Sequence, residues 1–154
     1  MYEKLLREAA CLGIDVYEWD MPQRIKGLYG DGVIIINKHV RSDVEKTCIM
    51  AEEMGHHHMT AGDILDQSSI ANKKQEVKAR RWAYSKLVPL QAIISAYQAG
   101  VRSRYELADY LGITEEFLEE AIRYYKQRYG ISKTIGDYVV YFDPLSISET
   151  NSEY

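Results

Sequence analysis

Leu5, Leu6, Ala9 and Leu12 recur on a helical period and stop at Gly13, so residues 2–12 are predicted to form an amphipathic covering helix. The period then falls to two. Residues 14–19 alternate apolar and polar, which predicts a half-buried strand broken by Met21 and Pro22. A second strand is predicted at 25–29, and Gly30, Asp31 and Gly32 supply a tight hairpin turn. Residues 33–36, Val-Ile-Ile-Ile, are continuously apolar, as a central strand should be. These strands read as a small antiparallel sheet whose edge could hold an extended peptide.

Helical patterning returns at residues 42–60. Ser42 with Glu45 three residues later is a capping box that fixes the start. Val44, Cys48, Ala51 and Gly55 then form an apolar and small-residue stripe able to lie on the core. Residues 62–72 are expected to be a loop or short helical turn, and 73–87 a helix that Pro89 prevents from continuing. A further helix at 90–98 is closed by Gly100. Residues 103–128 read as helix, turn, helix, with Leu107, Ala108, Leu111, Ile113, Leu118 and Ala121 buried. A strand at 138–142 ends at Pro144.

The fold class that follows is α+β: mostly helical, a small antiparallel sheet packed on one active helix, and a C-terminal helix-turn-helix-like module. Residues 1–100 are read as the core, 101–145 as the module with its terminal strand packed on that core, and 146–154 as a flexible polar tail.

Composition narrows the function classes. The chain has 154 residues, 46% hydrophobic and 27% charged, ordinary for a globular domain with a real core. Its net charge of −4 disfavours a phosphate backbone as partner. Glu115, Glu116, Glu119 and Glu120 at the start of the second module helix add to that repulsion, so direct DNA binding is not expected. Cys11 and Cys48 fall in separate predicted helices, which fits free thiols in a reducing cytoplasm. No stretch approaches the roughly 20 apolar residues of a membrane span. Tyrosine is abundant, 13 residues, and suits an amphipathic surface or interface as readily as a core.

The candidate chemistry lies in the 42–60 helix, which carries three of the four histidines. Glu52 and His56 are four apart, and Glu53 and His57 repeat the spacing. In the zinc-hydrolase turn H-E-x-x-H, residues i and i+4 bind the metal and the glutamate at i+1 polarises the attacking water. Laid on this helix the motif gives Glu52 and His56 as ligands and Glu53 as general base, with Glu52 in place of the first histidine. The zinc-hydrolase spacing makes Zn2+ the expected ion, and because a carboxylate ligand makes the site harder and more negative, Mn2+ is possible. His57 or His58 could serve as ligand instead if the helix ended near Gly55. Three adjacent histidines could also be no more than an accidental metal-binding surface. His39, at a strand end, reads as a surface residue, or as an oxyanion stabiliser if it faces the cleft.

The Glu-Glu-Met-Gly-His-His run, followed downstream by Ala79, Trp82 and Ala83 on a second helix, resembles the ImmA/IrrE family of phage and mobile-element metallopeptidases. The resemblance extends over nearly the whole chain. It implies a zincin-like active helix and a third metal ligand from the second helix. Glu76, 20 positions after His56, is the residue that fills that role here, whereas the more usual family position is occupied by Lys78. The basic residues Lys73, Lys74, Lys78, Arg80 and Arg81 read as a solvated face, with Arg80 or Arg81 able to orient a carboxylate. The resemblance further implies a zinc-dependent endopeptidase whose substrate is a helix-turn-helix repressor protein. A catalytically weak or inactive regulator that binds the same repressor without cutting it is the alternative.

Overall fold

The computed structural model describes residues 1–59 and 69–150, and of residues 69–72 the backbone alone. The chain divides into two compact units, Met1–Lys86 and Leu87–Tyr154.

The first unit opens with α1 (Tyr2–Cys11), which buries Leu5 and Ala9. Leu12, assigned to the same stripe by its spacing, is exposed, because the helix ends at Cys11 and Gly13 turns the chain with φ +75°. Three strands follow: β1 (Asp15–Trp19), β2 (Gly27–Gly30) and β3 (Val33–Asn37). Asp31 and Gly32 both have positive φ, +48° and +76°, as the two-residue turn joining β2 to β3 requires. The apolar β3 is central, in the order β1-β3-β2.

The first sheet is mixed, where the sequence suggested a wholly antiparallel one: β2 runs antiparallel to β3, but β1 runs parallel to it. The link between β1 and β2 crosses to the far side of β3. Asn37, almost completely buried, holds that link by donating to the carbonyls of Met21, Pro22 and Ile25 at 3.0, 3.2 and 2.8 Å. A buried amide of this kind must be satisfied, and here the satisfaction shapes the crossing.

Ile34 and Ile36 of β3 are fully buried, and β2 and β3 pack against α2 (Asp43–Met59). The cap on α2 is present: Ser42 Oγ accepts from the Glu45 amide at 3.4 Å. Cys48, Ala51 and Gly55 are buried as the stripe requires, together with Thr47, Met50 and Met54, whereas Val44 is exposed. α3 (Ser69–Leu87) begins four residues ahead of the predicted start; the rest of the predicted 62–72 link lies outside the described residues. Among the described residues no helix is long and apolar enough to cross a membrane.

The second unit holds α4 (Leu90–Gln98), α5 (Arg104–Leu111), α6 (Glu115–Tyr129) and an antiparallel sheet of β4 (Ser132–Ile135), β5 (Tyr138–Phe142) and β6 (Leu145–Glu149). Pro89 separates α3 from α4, as its missing N–H and fixed φ require. Ser103 and Thr114 cap α5 and α6, accepting from the Glu106 and Phe117 amides. All six residues assigned to the buried face of this pair are buried, joined by Phe117, Ile122 and Tyr125. The Tyr125 hydroxyl donates to the Val88 carbonyl at 2.8 Å, and its ring stacks on Tyr129 and Phe142.

The two compact units part at Lys86. Residues 145–149, most of which were taken for a flexible tail, form β6 against β5, and residues 151–154 lie outside the described part. Neither Cys11, which is exposed, nor Cys48, which is buried, forms a disulfide.

Candidate metal centre

Two glycines set the geometry around α2. A Cβ on Gly55 would lie 2.4 Å from the Ala79 carbonyl oxygen, so only glycine lets the α2 and α3 backbones touch there. Ala79 is itself fully buried. The next residue of α2, His56, and Glu76, one turn before Ala79 on α3, are thereby brought together, with His56 Nε2 3.2 Å from Glu76 Oε1. On the opposite flank a Cβ on Gly27 of β2 would meet Ile49 Cγ2 at 2.6 Å and the Glu53 side chain at 3.2 Å. Strand β2 therefore lies directly over Glu53.

The three histidines are fastened differently. His56 reaches Glu76. His57 Nδ1 shares a 2.8 Å hydrogen bond with the Tyr29 hydroxyl, on the same face of β2 as Gly27. His58 stacks on Trp82 of α3, centroids 4.5 Å apart and planes 21° from parallel. Helix α2 continues to Met59, so the condition under which His57 or His58 would replace His56 is not met.

Burial, and then the negative charges of Glu52 and Glu76, push the Glu53 carboxyl up to about 8. Partial desolvation, His57 and Lys86 hold the His58 imidazole below its usual value. Burial is the first cause of that rise and the charges of Glu52 and Glu76 follow it, so a cation bound beside Glu53 would oppose it.

Donor chemistry and one distance fit a divalent ion. Two ligands held about 2.0–2.1 Å from a tetrahedral zinc lie about 3.3 Å apart, close to the His56 to Glu76 separation of 3.2 Å. Among the described residues, however, no third His, Cys, Asp or Glu completes a metal-holding group with them. The structure thus brings His56 and Glu76 together and sets Glu53 beside them. Glu52, half-buried, acts on Glu53 through its charge. Lys78 is exposed, as are Arg80 and Arg81. His39 pairs with Asp20 at 2.6 Å in an exposed position at the end of β3.

The sequence model of the IrrE N-terminal-like domain, a peptidase family, matches residues 9–123. The chain belongs to the IrrE N-terminal-like family. The match takes in β1 to α5 and the first part of α6, so both helices of the candidate centre lie inside the IrrE-like region and the β4-β5-β6 sheet lies beyond it. The IrrE-like fold is metallopeptidase-like, and its family is generally zinc-dependent. No curated protein matches the chain.

Gly27 and Tyr29 were not singled out by the sequence reading. The available signal was a glycine inside a strand, which marks a close backbone approach, with a tyrosine two residues on and therefore on the same face.

Proposed function

We propose that the chain is a divalent-metal-dependent endopeptidase of narrow specificity, acting on a helix-turn-helix repressor of a phage or mobile element. The observation that carries this reading is the His56 to Glu76 contact beside a half-buried acid raised to about 8, within a metallopeptidase-like family. His56 and Glu76 would hold the ion, and Glu52 would have to turn toward them to complete the set. When bound, it would supply Lewis-acid polarisation of the scissile carbonyl and of the attacking water. Glu53 takes the proton from that water and returns it to the leaving amine. With the ion bound, its charge would favour the ionised carboxylate, the form that accepts the proton. Strand β2, pinned over Glu53 by Gly27, keeps bulk water from one side of the carboxyl. Tyr29 fixes the ring of His57, one turn after Glu53, and so ties that stretch of α2 to strand β2. The choice of a repressor as substrate rests on the family resemblance of the Glu-Glu-Met-Gly-His-His helix.

A second reading has a specific observation in its favour. Glu52 stands where the motif has histidine, and among the described residues no third ligand completes the centre. That favours a weak or inactive enzyme that binds the repressor without cutting it. Co-expression with a phage or mobile-element helix-turn-helix repressor separates the two. The peptidase reading expects a discrete repressor fragment with wild type and an intact repressor with Glu53→Gln. An intact repressor with wild type in added zinc or manganese would transfer the function to binding alone, and equal cutting by both proteins would remove Glu53 from the mechanism.

A further inference from the structure

The second unit carries a groove of about 430 Å³ between α4, the start of α5 and strand β6. Ile93, Ala96 and Leu107 form its floor, and Leu145 and Ile147 of β6 form one wall. Arg102, Ser103 and Arg104 stand at its polar rim, and neither Asp nor Glu lines it. On a chain of net charge −4, an apolar groove bordered by arginines and by no acid is matched to an anionic occupant.

Arg102 is held in place. Its Nη1 donates to the carbonyls of Tyr97 and Val101 at 2.7 and 2.9 Å, and its guanidinium lies 4.1 Å from the centroid of the Tyr97 ring. A guanidinium has five N–H donors, and those two bonds engage Nη1 alone. Arg104 makes a long 3.9 Å ion pair with Glu119 and also acts through its charge on Asp143, the partner of Lys126.

Strand β6 pairs with β5 and, among the described residues, with nothing on its other side. Leu145 and Ile147 are opposite Phe142 and Val140, the two buried residues of β5, so they share the face turned to the helices. A strand added at that edge would direct alternate side chains over the groove.

We propose that this groove is a docking site for an extended segment of a partner protein, added as a strand to β6. That segment would carry an apolar side chain and a carboxylate two positions apart, the first over Ile93 and Leu107 and the second between Arg102 and Arg104. The main chain supplies affinity, and the apolar-then-acid spacing supplies selectivity. The site belongs to the second unit and holds whether or not the metal centre cuts peptides.

The test is an NMR titration of the full chain with a blocked heptapeptide, Thr-Val-Thr-Glu-Thr-Val-Thr, whose inward row is Val, Glu, Val in either strand direction. Saturable shifts are expected at the amides of Ser146, Ile147 and Ser148 and at the side chains of Arg102 and Arg104. The same peptide with lysine for glutamate should bind at least about tenfold more weakly, as should wild-type peptide to Arg104→Gln, the loss expected for one charge-assisted hydrogen bond. Arg104→Gln disturbs the long pair with Glu119 and a charge interaction with Asp143, all between exposed side chains, so it keeps the fold intact where Arg102→Gln, which cuts two contacts to backbone carbonyls, does not. A peptide N-methylated at every residue should not bind. Equal binding of the lysine or the N-methylated peptide, shifts confined to residues 1–86, or no saturable shift at all would each overturn the proposal.

Discussion

Replacing Glu53 by glutamine should make the metal-free protein more stable at alkaline pH and leave it nearly unchanged near pH 5. The carboxyl titrates at about 8 in the folded chain against an ordinary 4.5. Between those values the folded state holds a proton that the unfolded state has lost, so stability falls as pH rises across that window. Below it both states are protonated and nothing is lost; above it both are ionised and the full penalty applies. At about 1.4 kcal/mol for each pH unit, the ceiling is roughly 5 kcal/mol. Much of the rise comes from burial, and the charges of Glu52 and Glu76 relax and are screened, so on the order of 2–3 kcal/mol is the realistic loss. Glutamine keeps the shape and removes the charge. The assay is urea unfolding of both proteins in chelator from pH 5 to 9. The difference between the curves isolates this site and should open with rising pH in favour of Glu53→Gln. Saturating zinc should close or reverse the gap, since a cation favours the ionised acid. Parallel curves, or a variant less stable than wild type at pH 9, would refute the crowded-carboxylate account.

Three other substitutions or assays probe the same construction. Gly55→Ala puts a methyl group 2.4 Å from the Ala79 carbonyl and should destabilise the first unit by about 1–3 kcal/mol in urea titration while lowering metal affinity, because α2 and α3 must part. Tyr29→Phe removes two hydrogen bonds, one with His57 and one accepted from the Gly32 amide, and should lower stability by about 1–2 kcal/mol with metal stoichiometry unchanged; loss of metal would make His57 a ligand. The second unit should show no salt-sensitive, sequence-specific duplex binding in gel shift, because Glu115, Glu116, Glu119 and Glu120 are all exposed on α6.

Several of these features were legible in the residues themselves. Ser42 and Glu45 located the start of α2, and the spacing of Leu107, Ala108, Leu111, Leu118 and Ala121 gave the buried face of α5 and α6, because a cap and a helical stripe are local patterns. The partner of β1 was not legible. Its direction is decided by Asn37 clamping a link that is distant in sequence, and no local pattern encodes that. Strand β6 was read as tail because Ser146 and Ser148 make the segment look polar, although Leu145 and Ile147 alternate with them at strand period. At the candidate centre, sequence spacing placed His56 and Glu53 on one helix but could not say which histidine faces α3. That depends on the contact between Gly55 and Ala79, which turns His56 toward Glu76, His57 toward Tyr29 and His58 onto Trp82.

The most direct test of the metal centre is the metal content of the purified chain beside that of a His56→Ala, Glu76→Ala double variant, measured by elemental mass spectrometry after dialysis against zinc and buffer. The contact between these two side chains is the part of the centre that the structure assembles. Wild type should retain about one divalent ion per chain, and loss of two of three ligands should leave the variant with almost none while it still unfolds cooperatively. A folded variant that keeps as much metal as wild type, or a wild type that keeps none, would contradict the assignment.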